Sequence, residues 1–353
     1  MAVVGSKISR KSRTRKHVRR SDHSGATLVL TQSEVTALLD IDACIAAVEE
    51  AFRLHARGES LKPGVLSMHA PGGAFHIKAA GLRLKRAYFA AKTNANFPDN
   101  PATRGLPTIQ GTLVLCDGDD GRPLAIMDSM ALTALRTAAA TAVAAKHLAR
   151  RDAKVATLVG CGVQAAAQAR AIVRVRPLER LYVVDLDAAR ARTFAAAMAA
   201  DLGIAVEPAP EGLREAARQS QIVVTCTTAK KAFLGPKDVT DGVFVAAVGA
   251  DNPEKQEITP QLLAESVLIT DSTDQCAAIG DLHNAVAAGV LRPLHVRAEL
   301  GQVIAGVKPG RTSPDDRVVF DSTGIAVQDV AAAAVVYERA VALGRGLAVD
   351  LAG

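Results

Sequence analysis

The clearest structural signal in the second half of this chain is the stretch Val155-Ala-Thr-Leu-Val-Gly160-Cys-Gly162-Val-Gln-Ala165. A buried strand is followed by the spacing Gly-x-Gly-x-x-Ala and then by a helical apolar pattern over 164–175. Gly160 permits a tight turn, Gly162 lets a phosphate group approach the backbone, and Ala165 allows the helix to pack closely on the strand. The stretch predicts a dinucleotide site with phosphate oxygens at the N-terminus of the helix. A domain of this shape that binds no nucleotide is the alternative.

Strands and helices alternate after this stretch. The predicted strands lie at 155–159, 181–184, 222–224, 243–248 and 267–269, and the helices between them at 164–175, 188–200 and 213–218. Repeated β–α units predict an α/β domain with a doubly wound parallel sheet, the Rossmann arrangement.

Asp185 ends the second of these strands, 25 residues after Gly160. A carboxylate in this place accepts hydrogen bonds from the ribose hydroxyls and repels a 2′-phosphate. We therefore expect NAD as the cofactor rather than NADP, while Arg190 and Arg192 nearby keep NADP as the second choice.

The first half of the chain has a different pattern. Helical spacing over 31–52 is followed by short apolar runs over 61–127 that Pro and Gly clusters separate, which predicts a mainly antiparallel sheet. A long Ala/Leu helix at 130–149 connects the two halves. A last strand at 318–320 and a helix at 325–342 are expected to pack back onto the first half.

The net charge of +6 is concentrated in residues 1–25, which hold eight Lys or Arg residues and one Asp. The rest of the chain has 34 basic and 35 acidic residues, so no basic binding face is expected on the folded body. The basic segment has too few apolar residues to fold, and we expect a disordered, solvated tail. A transit peptide and a tether for nucleic acid or an anionic surface are the alternatives.

Composition also disfavours several partners. No apolar stretch approaches the ~18–20 residues that span a bilayer, so no membrane partner is expected. With no Trp and 3% aromatic residues, nucleic acid is not expected either. The five cysteines are scattered, and His69, His76 and His283 show no ligand spacing. We therefore expect no disulfide, no metal site and a reducing cytoplasmic location.

Six motifs follow one another along the chain. They are Lys92…Asn96-Phe-Pro98, Gly105-Leu-Pro-Thr108, Leu132-Thr-Ala-Leu-Arg136-Thr-Ala-Ala, Gly160-Cys-Gly-Val-Gln164, Val248-Gly-Ala-Asp251…Lys255 and Phe320-Asp-Ser-Thr-Gly324. In this order and spacing the chain resembles the ornithine cyclodeaminase/μ-crystallin family from about residue 28 to residue 345. The resemblance implies a homodimer that binds NAD(P). It also implies a Rossmann domain (136–315) inserted in an α+β domain for dimerisation and substrate binding (26–135 plus 316–353), which the C-terminal strand and helix complete, after the tail (1–25).

The resemblance implies roles for three charged residues. Lys92 matches the lysine that holds the substrate carboxylate, and Arg136 matches the arginine shared by substrate and cofactor. A cationic pair suits an α-carboxylate and would fix Cα over the nicotinamide. Asp251 matches the aspartate that acts on the substrate amine or on water, because an ammonium must lose a proton before hydride leaves Cα. A surface lysine, a structurally paired arginine and a helix-capping aspartate are the alternatives.

Other positions are expected to touch the cofactor together with Arg136 and Asp251. They are Thr108, Gly160, Gly162, Val163, Gln164, Asp185, Val248, Gly249, Lys255 and Ser322. One threonine of the segment 225–228 joins them, with Thr225 and Thr227 as candidates, and Thr323 is expected beside the substrate.

One departure from the family pattern concerns the substrate. Ornithine cyclodeaminases have a second arginine early in the first domain that clamps the carboxylate, whereas the corresponding stretch here has Lys62 and no arginine. Lys62 or Lys78 takes over the clamp, or the substrate differs. Lysine cannot reproduce the bidentate fork of arginine, so ornithine is the less favoured substrate.

The resemblance therefore implies an NAD(H)-dependent oxidoreductase that transfers hydride at Cα of a small L-amino acid or its (cyclic) imine, as in alanine dehydrogenases and ketimine reductases. The first alternative is an ornithine cyclodeaminase, a lyase that converts L-ornithine to L-proline and ammonia with catalytic NAD. The second is a non-catalytic, crystallin-like protein that binds NAD and a small ligand. One constellation serves several reactions, so the motifs do not decide among them.

Overall fold

A computed structural model describes residues 25–351, which form two β-sheets and the helices around them. The strands are β1 (Thr27–Leu30), β2 (Ser60–Ala70), β3 (Gly73–Arg83), β4 (Ala87–Asn96), β5 (Ile109–Asp117), β6 (Pro123–Asp128), β7 (Val155–Val159), β8 (Arg180–Val184), β9 (Ala205–Pro208), β10 (Ile222–Thr225), β11 (Phe244–Ala247), β12 (Val267–Thr270), β13 (Ala298–Glu299), β14 (Val318–Asp321) and β15 (Leu347–Val349). The α-helices are α1 (Gln32–Leu38), α2 (Ile41–Ala56), α3 (Asn100–Arg104), α4 (Met130–Leu148), α5 (Ala165–Val173), α6 (Ala188–Leu202), α7 (Leu213–Gln219), α8 (Pro260–Ala264), α9 (Thr273–Ile279), α10 (Asp281–Ala287), α11 (Leu300–Ile304) and α12 (Ala326–Leu343).

The second sheet has the strand order β9-β8-β7-β10-β11-β14-β12-β13, and all of its pairs are parallel. The chain moves outward from β7 to β8 and β9 and then returns to the other side of β7 with β10. This reversal is the switch point at which doubly wound sheets bind ligands. The predicted α/β Rossmann fold is confirmed, with every predicted strand within one residue of its bounds.

The first sheet has the order β15-β1-β6-β5-β4-β3-β2 and is antiparallel except for the pair β1–β6, as predicted. Helix α12 packs on one face, against β3, β4 and β5. On the other face Leu61, Leu66, Met68 and Phe75 are exposed. This sheet therefore has one covered face and one open apolar face.

Strand β14 corrects the predicted division of the chain. We expected the C-terminal strand and helix, within 316–353, to complete the first domain, but β14 pairs with β11 and β12 inside the Rossmann sheet. Its four residues are all buried, as in a central parallel strand that is covered on both faces. Only α12 and β15 return to the first sheet, where β15 pairs with β1.

Helix α4 connects the two halves, as predicted. Most of its residues from Ala138 to Ala145 are fully buried, and it packs against α2, α5 and α12. Within residues 25–351, none of the helices combines the length and apolarity needed to cross a membrane. The basic segment predicted as a tail lies, apart from Gly25, outside the described residues.

Candidate active site

The glycine loop between β7 and α5 has the shape that its sequence predicts. Gly160 adopts a φ of +96°, and a Cβ there would lie 3.0 Å from the carbonyl oxygen of Cys226, so a side chain is strained on both counts. Gly162 and Val163 are exposed. Helix α5 begins after Gln164 without a side-chain cap, so no side chain occupies its first N–H groups. These residues fit a pyrophosphate at a helix N-terminus.

Asp185 follows β8 and lies beside this loop. One of its oxygens accepts a hydrogen bond from the backbone N–H of Cys161 at 2.9 Å, and the other accepts one from the N–H of Asp187 at 2.9 Å. The side chain of Arg190 lies 3.5 Å away and is largely exposed. The carboxylate is thus fixed at the end of the strand, where the ribose of a dinucleotide is recognised.

Two cations that the sequence predicted converge on a third residue that it missed. The Nζ atom of Lys92 on β4 donates to Oδ1 of Asp329 on α12 at 2.8 Å, and Nε of Arg136 on α4 lies 2.9 Å from the same oxygen. All three side chains are buried. Burial, followed by the positive charge of Arg136, lowers the pKa of Lys92 to about 7.

A third basic side chain, Lys78 of β3, lies directly across from Lys92. Its Nζ donates to the carbonyl oxygens of Thr323 and Gly324 at 2.9 and 2.7 Å. Burial, and then the charge of Arg136, lowers the pKa of Lys78 below its ordinary value. Lys62, the other lysine considered for the clamp, is exposed on β2, and no hydrogen bond or ion pair within 25–351 joins it to this cluster.

The segment 322–324 lies between these cations and the Rossmann sheet. Asp271, at the end of β12, accepts hydrogen bonds from the Ser322 hydroxyl at 3.1 Å and from the Gly324 N–H at 2.6 Å. Gly324 has a φ of +79°, and a Cβ there would collide with the Arg136 guanidinium. The buried Thr323 hydroxyl accepts from Gln275 at 2.8 Å. Glycine is therefore required for Arg136 to approach this backbone.

Asp251 lies beyond β11, at the carboxyl end of the Rossmann sheet. Its Oδ1 accepts from Nζ of Lys255 at 2.7 Å, and its side chain is 54% exposed although it is recessed among protein atoms. Burial raises the pKa of this carboxyl, but Lys255, followed by Lys78 and His76, lowers it more, and the net pKa lies below its ordinary value. His76, whose position in the sequence shows no ligand spacing, thus lies within electrostatic reach of the site.

Glu257 is a buried carboxylate that sequence reasoning missed. It accepts hydrogen bonds from the Thr225 hydroxyl at 2.6 Å, the Thr227 hydroxyl at 2.7 Å and the Gly249 N–H at 2.8 Å. Burial raises its pKa. Thr225 is fully buried and its side chain supports the strand ends through Glu257. Which of Thr225 and Thr227 contacts the cofactor stays a prediction.

The remaining predicted contacts differ in how closely the structure ties them to the site. Ser322 and Val248 are held at the ends of their strands by hydrogen bonds to Ala247 and Thr225. Thr108 precedes β5, and its carbonyl oxygen accepts from the Phe97 N–H at 2.8 Å; no hydrogen bond within the described residues joins it to the glycine loop.

The sequence did contain a signal for Asp329, which sequence reasoning missed. Gln328 and Asp329 are the two polar residues of the otherwise apolar run 326–336.

Comparisons with known proteins identify the family of this chain. The family model described as ornithine cyclodeaminase/mu-crystallin matches residues 26–344. The chain belongs to this family. The predicted resemblance is thereby confirmed over residues 26–344, and the roles of the individual site residues stay predictions.

Relatives within the family include NAD-linked enzymes. An alanine dehydrogenase of Archaeoglobus fulgidus is 38% identical over 316 residues, which cover 89% of this chain and 95% of that protein. A solved structure of an archaeal alanine dehydrogenase dimer with bound NAD has a TM-score of 0.88 at 37% identity, over 92% of this chain and 99% of that one. The Δ1-pyrroline-2-carboxylate reductase of Thermococcus litoralis, in complex with NADH and L-proline, has a TM-score of 0.86 at 31% identity, over 92% and 100%.

Proposed function

We propose that this protein is an NAD(H)-dependent oxidoreductase that acts at Cα of a small L-amino acid or of its imine, cyclic imines included. The observation that carries the proposal is the position of Lys78, Lys92 and Arg136 around the segment 322–324, at the carboxyl edge of a Rossmann sheet. Lys92 and Arg136 contact one carboxylate between them, Asp329, so the cluster keeps donors that suit an anionic substrate.

The cations hold the substrate carboxylate. Lys92 and Arg136 share one oxygen of Asp329, and their remaining N–H groups are donors for the ligand. Lys78 is the third donor in place of the missing arginine, because it is held among them whereas Lys62 lies outside the cluster. A carboxylate fixed at several points restricts the orientation of Cα, which lowers the entropic cost of reaction.

Asp251 handles the proton on the substrate nitrogen. Lys255 holds its carboxylate at 2.7 Å and favours the charged form, which accepts a proton from a substrate ammonium. In the reverse direction the protonated carboxyl returns the proton to the nitrogen of the amine that hydride addition to the iminium forms. Lys78 interacts electrostatically with both Arg136 and Asp251, which supports a proton acceptor near the carboxylate clamp.

The residues of the glycine loop fit NAD. Gly160, Gly162, Val163 and Gln164 would hold the pyrophosphate, and Asp185 would hold the ribose. Bound NAD supplies the acceptor for hydride, and NADH the donor. Four residues lie at the strand ends that this cofactor would cross: Thr227, Val248, Gly249 and Ser322. Glu257 accepts from the Gly249 N–H, and Asp271 accepts from the Ser322 hydroxyl.

We include a homodimer and a cytoplasmic location in the proposal. The open face of the first sheet carries Leu61, Leu66, Met68 and Phe75, an apolar surface suited to a second copy. The archaeal relative with a TM-score of 0.88 is a dimer. All five cysteines are free, as expected in a reducing compartment.

Isotope transfer tests the reaction. The enzyme is incubated with NADH that carries deuterium at nicotinamide C4 and with pyruvate plus ammonium or Δ1-pyrroline-2-carboxylate. Deuterium at Cα of the L-amino acid, with one NADH consumed per product, is the expected result. No transfer to any member of a panel of small imino acids would contradict the proposal.

A further inference from the structure

One buried carboxylate oxygen is shared by both principal cations of the site. Asp329 is 1% exposed, and its Oδ1 lies 2.8 Å from Nζ of Lys92 and 2.9 Å from Nε of Arg136. The three residues come from β4, α4 and α12, so the oxygen is the point at which three elements meet. The other contact of Lys92, to the Thr133 hydroxyl, is longer at 3.3 Å.

Helix α12 supplies a second contact through the preceding residue. The Oε1 atom of Gln328 accepts from Nη1 of Arg136 at 2.9 Å. The orientation of the guanidinium is therefore set by two adjacent residues of one helix. No other carboxylate among residues 25–351 contacts Lys92 or Arg136.

The arrangement is not the one that stability alone would favour. Within the described protein, Oδ2 of Asp329 and Nε2 of Gln328 are buried without a hydrogen-bond partner. Unsatisfied buried polar atoms cost free energy, and buried ion pairs are often replaced by apolar residues with no loss of stability. Stability alone therefore does not account for these two polar residues in the otherwise apolar run 326–336 of α12.

We propose that Asp329 is a positioning residue whose carboxylate holds the Lys92 ammonium and the Arg136 guanidinium in the arrangement that receives the substrate carboxylate. The inference rests on the proposed function for the identity of the ligand. Without Asp329, the like charges of Lys78, Lys92 and Arg136 would face one another with no anion between them, and the two principal cations would separate.

The charged groups that face Lys92 make this role measurable. They are Arg136, Asp329 and Lys78, from α4, α12 and β3. Cys44 of α2 lies near Arg136 and Asp329 and stays a neutral thiol, because burial raises its pKa to about 12. Asp329 is thus the anion that favours the protonated form of Lys92 against burial and the charges of Arg136 and Lys78, and its removal would lower the pKa of Lys92 further.

The first test is the Asp329→Asn variant, which preserves shape and removes the charge. We expect kcat/KM for the amino acid to fall by about 100-fold, mainly through KM, because misplaced binding groups cost about that factor. The alkaline limb of the kcat/KM profile moves to lower pH, while NADH affinity is unchanged. A variant that loses only thermal stability, and whose kcat/KM falls at the same alkaline pH as in the wild type, would overturn the proposal.

Glu49→Gln is the matched control. Glu49 of α2 also contacts two basic side chains, Lys146 at 2.7 Å and His147 at 2.8 Å, away from the site. Its loss is expected to reduce stability without moving the limb. If the alkaline limb of the kcat/KM profile moved equally in both variants, the effect would be a general electrostatic one, and this would also overturn the proposal.

A second measurement does not depend on activity. In protein labelled with 13C at lysine Cε, the Lys92 signal is assigned from its absence in Lys92→Met, and its titration is followed by NMR. A lower midpoint in Asp329→Asn supports the proposal even if no substrate is found, and an unchanged midpoint overturns it.

Should Asp329→Asn alone fail to fold, Lys92→Met and Lys92→Met/Asp329→Asn are compared. The second substitution is expected to cost far less in kcat/KM than a 100-fold factor, because the coupled partner is already absent. A full additional loss would overturn the inference.

Discussion

Lys78 and Lys92 are directly paired residues of neighbouring antiparallel strands, so their side chains leave the same face of the first sheet. Like charges in this relationship destabilise a sheet by about 0.2–1 kcal/mol. The pair is tolerated because Lys92 contacts Asp329 and Lys78 donates to two carbonyl oxygens of the segment 322–324. The sheet thus gives up some stability to present two amines to one small volume.

The assignment of Lys78 to the carboxylate clamp predicts the effect of Lys78→Met. Methionine keeps most of the side-chain length but removes the charge. We expect KM for the amino acid to rise by about 10- to 100-fold, since hydrogen bonds to charged groups contribute about 1.5–3 kcal/mol. Initial rates as a function of amino-acid concentration measure this effect, with NADH affinity unchanged.

Lys62→Met is the control for Lys78→Met, because Lys62 is the alternative residue and lies exposed on β2. We expect its KM to equal that of the wild type. If Lys62→Met raised KM and Lys78→Met did not, the clamp would belong to Lys62.

The pair formed by Asp251 and Lys255 predicts a shift in the acidic limb of the pH profile. Burial raises the pKa of Asp251 and Lys255 lowers it by more, so Lys255→Met should raise that pKa. Asp251 acts as a base in its charged form, and the acidic limb of kcat/KM for amino-acid oxidation should therefore move to higher pH. Asp251→Asn should reduce kcat by about 10²- to 10⁴-fold at every pH. Full activity in Asp251→Asn would remove this residue from the proton transfer.

Cofactor choice is predicted to depend on Asp185. Asp185→Asn keeps an acceptor for one of the two N–H groups that the carboxylate binds, but removes the negative charge that repels a 2′-phosphate. We expect the ratio of kcat/KM for NADH over NADPH to fall by about 10-fold or more. Arg190→Met, tested in the same background, should restore part of the preference, because Arg190 is the cation nearest to Asp185. An unchanged ratio in Asp185→Asn would contradict the assignment.

Asp281 predicts a pH dependence of stability. Burial, and then the neighbouring Asp321, holds the pKa of Asp281 well above its ordinary value, so the folded protein retains a proton that the unfolded chain releases above about pH 4. Stability therefore falls as pH rises from that value through the raised pKa. Oδ1 of Asp281 accepts from the N–H groups of Glu257 and Ile258, while Oδ2 has no partner.

Asp281→Asn keeps the accepting oxygen and places an amide at the unpaired one. We expect a smaller loss in unfolding free energy between about pH 5 and about pH 8 than in the wild type. Urea denaturation at several pH values measures this. Asp281→Ala, which leaves both N–H groups unpaired, should be destabilised by about 1–3 kcal/mol at all pH values. If the unfolding free energy of Asp281→Asn changed with pH as steeply as that of the wild type, Asp281 would be ionised in the folded protein.

The parts of this fold that sequence predicted are those with local signals. The glycine loop needs Gly160 at a positive φ, a strand before it and a helix after it. The eleven residues 155–165 contain the signals for all three. Strand β14 was also predicted as a strand, but its sheet was not. A short apolar run predicts a buried strand but does not indicate which strands it pairs with. The partners of β14, β11 and β12, come from distant segments of the chain.

The site followed the same rule. Lys92, Arg136 and Asp251 were predicted through motifs, but the residues that hold them were not. Asp329 lies 237 positions from Lys92 in the chain, and only the fold brings them to 2.8 Å. Glu257 likewise gains its role from three donors on other segments, which no local pattern encodes.

The most direct test of the central claim is the stoichiometry of the cofactor. Purified protein is supplied with NADH and Δ1-pyrroline-2-carboxylate, or pyruvate with ammonium, and in parallel with L-ornithine and NAD, while NADH absorbance and the amino acids formed are both measured. The account predicts one NADH consumed for each L-amino acid formed in the first reactions. Proline and ammonia from L-ornithine with no net change in NADH would contradict it and make the protein a cyclodeaminase.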